Sequence, residues 1–157
     1  MKIITALLLI TATAASAQTR DYANTPKDKP VRVSDTKQAD AIERAIRPYV
    51  AKARQTYPAA KKRFVEGLPP KYLFSLTTKL SNRSQTRFEV VFVVVSSIKG
   101  GTVKGHLVTH TRQDVGYKFG DSISFPESKV MDWTIVHPDG SEEGNVVGKF
   151  IDTYKPR

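Results

Sequence analysis

His106, His110 and His137, the acids Glu127, Glu142 and Glu143, and a few serines are the side chains whose type and spacing bear on chemistry. His106 and His110 stand four residues apart in a stretch that reads as a strand, so they share a face but lie ~13 Å apart along it. One metal ion needs ligands at ~2 Å in convergent geometry, and the chain has no cysteine to complete a set. Neither a metal site nor a cofactor is expected. Glu142 and Glu143, with Glu127, are candidates for the paired carboxylates of glycan cleavage. They fall in polar turns, where a solvated carboxylate keeps its charge and makes a poor proton donor near neutrality. Ser96, Ser97 and Ser124 lack the elbow sequence and the ordered partners that activate a serine. Gly100-Gly101 is not followed by Lys-Ser or Lys-Thr, as a phosphate loop requires. No catalytic residue is expected, and a cell-wall hydrolase is the least supported class.

Charge says more. Lysines and arginines number 25 against 15 acids, for a formal net charge of +10. Such a balance favours acidic partners. Arg44, Arg47, Lys52, Arg54, Lys61, Lys62 and Arg63 lie on the outward side of a helical half, which is also how a solvated helix face reads. If the run docks an anion, binding must weaken steeply with salt. The residues singled out for contact are Lys61, Lys62 and Arg63, with His106 and His110 on the sheet.

The elements that must position these groups are organised around Arg87 to Ser97, RFEVVFVVVSS. Phe88, Val90, Phe92 and Val94 fall on one side of an extended strand and Val91, Val93 and Val95 on the other. A strand apolar on both sides must lie inside a sheet covered on each face, or in a small barrel with a partly covered wall.

At the start, Lys2, an apolar run from Ile3 to Ile10 and Ala15-Ser16-Ala17 read as a secretory signal peptide over residues 1–17. The apolar run is shorter than the ~20 residues a membrane span needs, and no later segment is apolar enough. The mature chain is expected to begin at Gln18, in the periplasm or outside the cell. Without cysteines no disulfide supports the fold there, so the core must suffice. The chain divides into residues 1–17, a flexible leader at 18–37, and a single domain at 38–157.

Ser34 or Asp35 can cap a helix with Ala39, Ile42, Ala45 and Ile46 at helical spacing. Pro48 predicts a kink or break, followed by a segment turning Val50, Ala53 and Tyr57 inward. Pro58 predicts the first turn of another helix, 59–66, anchored by Phe64, Val65 and Leu68 and ended by Gly67 and Pro69-Pro70. Strands are then predicted at 71–80, at the organising stretch, at 102–109, at 122–125, at 130–136 and at 146–152. Lys99-Gly100-Gly101 and Pro138-Asp139-Gly140 are turns, and Ser141 to Asn145 is a polar loop. Gly105 inside its strand suggests a bulge or a close backbone approach. Trp133 beside Asp132 places one of the pair inside and the other outside. Tyr72, Phe74 and Phe88 at alternate strand positions fit a core better than a base-stacking platform, and export argues against nucleic acid.

The helical lead-in AKARQTYPAAKKRFVEGL, the strand FEVVFV, GTVKGHL with Gly105, Gly120-Asp121, Asp132-Trp133 and the closing GKF, in that order, resemble the bacterial domain family of unknown function DUF2314, or YegJ-like. The chain departs from that pattern at Phe92, where a tryptophan is common, and between His110 and Gly120, which lacks an asparagine-proline segment. The resemblance implies a small α+β domain and no established activity, substrate or cofactor. The expected architecture is N-terminal helices packed on a twisted antiparallel sheet of five or six strands, open or partly closed toward an SH3-like barrel. The expected function is that of an exported, non-catalytic binding or accessory domain for a protein or an anionic envelope component. The alternative is an immunity protein that neutralises a periplasmic toxin.

Overall fold

The computed structural model describes residues 25–26, 36–82 and 88–154. The expected signal peptide, nearly all of the leader, the cap at Ser34 or Asp35, and residues 83–87 and 155–157 lie outside them.

The helical half is a single element, α1 (Thr36–Glu66), with Pro48 and Pro58 both inside it. This corrects the expected break at Pro48 and the separate helix after Pro58. Both prolines sit on the exposed side, where water can reach the carbonyls of Arg44 and Arg54 that they leave without an amide. A stripe of Ile42, Ile46, Ala53, Tyr57 and Ala60 is buried along its length, as an amphipathic helix requires. Gly67 ends the helix with φ +104°, its N–H returning to the Phe64 carbonyl at 3.2 Å. Phe64 and Leu68, four apart, pack on the core. Val65, expected beside them, points away and is 64% exposed.

Six strands follow: β1 (Leu73–Ser81), β2 (Phe88–Lys99), β3 (Thr102–Leu107), β4 (Ser122–Pro126), β5 (Asp132–Val136) and β6 (Glu142–Gly144). They pair antiparallel in the order β4-β3-β2-β1-β5-β6. The organising strand is therefore internal, and Glu89 to Val95 is buried on both faces. One face sets Val91, Val93 and Val95 against Phe74, Leu76, Leu107, Trp133 and Ile135, with Tyr57 and Ala60 of α1 in the same cluster. On the other, Phe92 and Val94 cluster with Val108 and Leu73. Gly100 and Gly101 join β2 to β3 with φ +55° and +73°, the positive pair a tight hairpin turn needs. The ladder shifts register between Val95 and Ser97 opposite Gly105, and a Cβ on Gly105 would lie 2.7 Å from a Val93 methyl. Both roles foreseen for that glycine are present.

Residues 127–131 connect β4 to β5, which stand four strand spacings apart, ~19 Å if the sheet were flat. A crossover this short, part of it a 3-10 turn at Glu127–Lys129, fits only a strongly curled sheet. The curl stops short of closure. Among the described residues β4 and β6 are the two edges, so the sheet is open where a partly closed barrel was entertained.

The C-terminal segment is the larger correction. Residues 146–152, expected as a strand, fall in a second helix, α2 (Val146–Thr153), and the polar loop before it contains β6. Ile42 and Ile46 of α1, Val90, Met131 and Val147 of α2 form a separate cluster, with Tyr49 stacked on Phe150 at 4.1 Å. Two helices thus pack on an open six-stranded antiparallel sheet, an α+β fold. Among the described residues no helix is long and apolar enough to cross a membrane.

Candidate ligand-binding cleft

The short crossover that the curl demands also builds a cleft. Arg54 reaches from α1 to the crossover, its Nε donating to the Val130 carbonyl at 2.9 Å and an Nη to the Ser128 carbonyl at 3.3 Å. From the sheet, Thr78 donates its hydroxyl to the Lys129 carbonyl at 3.1 Å, and the Met131 N–H reaches the Thr77 carbonyl at 2.9 Å. The crossover is pinned on both sides. Between it, α1 and the end of β1 lies a cleft of about 560 Å³, within the usual range for small-molecule sites.

Its helical wall is Glu43, Ile46, Arg47, Val50 and Arg54, which recur at three- and four-residue steps and so share one side of α1. Phe125, Pro126, Lys129 and Met131 come from β4 and the crossover, and Thr78, Lys79 and Ser81 from β1. Apolar side chains are interleaved with Arg47, Arg54, Lys79 and Lys129, against one acid among the described residues, Glu43. That acid is ion-paired with Lys79, whose ammonium also lies 4.0 Å from the Phe88 ring centre. Lys129 is exposed. Arg47, also exposed, projects from the helix. The cleft therefore carries a surplus of positive charge beside apolar surface.

None of the residues singled out for contact, Lys61, Lys62, Arg63, His106 and His110, lines it. Lys61 is ion-paired with Glu127 at 2.6 Å, and Lys62 with Glu66 one turn along the helix at 3.7 Å. Arg63 makes two bonds to Glu143, at 2.6 and 2.9 Å. His106 Nδ1 lies 3.4 Å from both the Gly120 carbonyl and the Ser122 hydroxyl, while His110 stacks on Phe119 at 4.8 Å. The two histidines join different local networks. Among the described residues no group of three or more His, Asp or Glu is placed to hold a metal ion.

Glu142 and Glu143 are not solvated turn residues. They lie on β6, partly buried, and Glu143 also meets His137 Nε2 at 2.8 Å. Bonding from Arg63, with a further bond from His137, pulls the Glu143 carboxyl down to about 2. Glu142 accepts from the Asn145 side-chain amide at 2.7 Å.

Residues 35–153 match the family model DUF2314, described as an uncharacterized protein conserved in bacteria. The chain belongs to the DUF2314 family. No curated protein and no solved structure matches it.

In this DUF2314 domain the residues that carry the resemblance hold the scaffold that frames the cleft. Gly120, φ +88°, donates to the Leu107 carbonyl at 2.8 Å. Asp121 accepts the Lys118 N–H at 2.7 Å. Together they turn the chain into β4. Asp132 and Trp133, expected one in and one out, are both buried, because β5 is covered on both faces. Trp133 joins the α1-facing cluster. Asp132, on the opposite side, accepts the Trp133 N–H at 2.8 Å and the Val147 N–H at 2.6 Å. It therefore caps α2 from a distant strand. Burial pushes the Asp132 carboxyl up to about 6, against the opposing pull of the Val147, Trp133 and Val146 amides and of Lys149.

Arg47 and Arg54 stand in the basic run read from the sequence, whereas Lys79, Lys129 and Met131 were not singled out. The signal that picks out the arginines is their spacing of seven, two helical turns, with Val50 between them on the same side. The β1 and crossover residues carry no local signal at all.

Proposed function

We propose that this DUF2314 domain is an exported, non-catalytic binding module that holds an anionic component of the cell envelope in the cleft between α1 and the crossover. The observation that carries this is the supply of cations to one cleft from three elements, Arg47 and Arg54 on α1, Lys79 on β1 and Lys129 on the crossover, against one acid among the described residues, Glu43. Like charges gathered at a cavity repel one another, and an anion placed among them removes that repulsion. Export rests on the signal-peptide pattern of residues 1–17. The acids a hydrolase would use have other partners, Glu127 with Lys61 and Glu143 with Arg63 and His137, which supports binding over catalysis.

The test compares three proteins for binding to fluorescent poly-L-glutamate: wild type, Arg47→Glu/Lys129→Glu, and the control Lys99→Glu/Lys104→Glu on the exposed β2–β3 hairpin. Both double variants change net charge equally. The expected result is at least a tenfold loss for the cleft variant and less than twofold for the control. Equal losses mean that affinity follows net charge alone and remove the cleft as the site.

A further inference from the structure

We infer that the ligand of this cleft is a single-chain anionic amphiphile, an acyl or alkyl chain ending in a carboxylate or phosphate. The inference rests on the cleft being the binding site proposed above and adds the chemistry of its occupant. A purely polar anion leaves unexplained why Ile46, Val50, Phe125, Pro126 and Met131 line the same cavity as the cations. Apolar side chains grouped in a concavity gain by covering hydrocarbon; here half-buried Val50 and exposed Pro126 stand over a floor of the more buried Ile46, Phe125 and Met131, and methionine adapts its shape to a flexible chain. The cationic members then select the head group. Arg54 is held by the Val130 and Ser128 carbonyls and Lys79 by Glu43, so both present charge from fixed positions. Arg47 and Lys129, on long exposed stems, can fold over a head group from the helix and from the crossover. A volume of about 560 Å³ suits one chain, not the paired chains of a bilayer phospholipid.

Calorimetric titration below the micellar threshold tests this with octyl, decyl and dodecyl phosphate, decanoate, inorganic phosphate and decyltrimethylammonium, alongside phosphatidylglycerol vesicles. Each fully buried methylene strengthens binding about fourfold, so decyl phosphate is expected to bind about fifteenfold tighter than octyl phosphate. Inorganic phosphate and the cationic amphiphile are expected to bind at least a hundredfold more weakly than decyl phosphate. Decanoate binding as tightly as decyl phosphate identifies a free fatty acid as an adequate ligand, while preference for the phosphate identifies a lipid-like head group. Val50→Trp, which fills the cavity from a half-buried position, is expected to weaken decyl phosphate at least tenfold with an unchanged melting temperature. Affinity independent of chain length, or equal binding of the cationic amphiphile, overturns the inference, as does vesicle binding without binding of the monomers. If poly-L-glutamate still binds through Arg47 and Lys129 in that case, the anion-binding role stands and only the amphiphile falls. If neither probe depends on those residues, both fall.

Discussion

Trp133 donates its indole N–H to the Thr56 hydroxyl at 2.9 Å, and that hydroxyl bonds the Ala53 carbonyl one turn back at 3.1 Å. An internal strand, β5, is thereby tied to the helix that forms one wall of the cleft. A part-buried neutral bond of this kind contributes about 1 kcal/mol net. Thr56→Val is expected to lower stability by about 1 kcal/mol and Trp133→Phe by about 2 kcal/mol, since the latter also loses ring volume. A double-mutant cycle in urea should return a coupling near 1 kcal/mol. A coupling of zero would show the bond to be incidental.

Gly144 makes the neighbouring constraint. Its φ is +76°, and a Cβ there would lie 2.8 Å from the Trp133 ring and closer still to the Trp133 carbonyl. Gly144→Ala is expected to cost more than about 2 kcal/mol, through strain and displacement of the indole together. Gly116→Ala, at a similar φ of +82° but facing open space, should cost only about 1 kcal/mol. Equal costs, measured by urea midpoints, would mean that the indole yields freely.

Asp132 sets a pH dependence of unusual sign. Its carboxyl is raised from 3.8 to about 6 by burial, so the folded state binds the proton more tightly than the unfolded chain does. The stability this group adds is fully present below about pH 4, declines as pH rises, and is gone above about pH 6, a span on the order of 3 kcal/mol. The melting temperature should therefore rise as pH falls from 7 to 5. Asp132→Asn is expected to abolish that rise while lowering stability at pH 5, because an amide can accept only one of the two backbone donors.

Glu143 works in the opposite sense. Its carboxyl is lowered to about 2, so its contribution is present above about pH 4.5 and lost as pH falls through 2. Partial exposure of both partners limits the Arg63 pair to about 1 kcal/mol or less. Glu143→Gln should be less stable than wild type at pH 7, and the difference should shrink as both approach pH 2. Combined with Asp132, this places the wild-type stability maximum near pH 4.

Much of the scaffold was legible because its signals are local. The two-sided apolar run at Val90 to Val95, the Gly100-Gly101 turn and the exception at Gly105 each follow from residue types within a few positions. The expected strand at 146–152 is instead most of α2. What makes it a helix is Asp132, fourteen residues before Val146, accepting amides at its start. Pro48 and Pro58 were overweighted: a proline breaks a helix decisively when its clash and lost bond are buried, and these two face solvent. β6 is three residues long and exists through its pairing with β5, which no short-range pattern records. The cleft was the least legible part. Arg47 stands in a basic run that also supplies Arg54 to the cleft, while Lys61, Lys62 and Arg63 of the same run are held in ion pairs. Lys129 and Met131 join it through a crossover whose path is fixed by the Arg54 and Thr78 bonds.

The most direct measurement is an amide NMR titration of the ¹⁵N-labelled domain with decyl phosphate, which reports where the ligand sits as well as whether it binds. Saturable shifts confined to Arg47, Val50, Thr78, Lys79, Lys129 and Met131, and lost in Arg47→Glu/Lys129→Glu, are the expected outcome. Shifts clustered instead around Lys62, His106 and His110, or a titration untouched by the double substitution, would contradict the assignment of the cleft as the binding site.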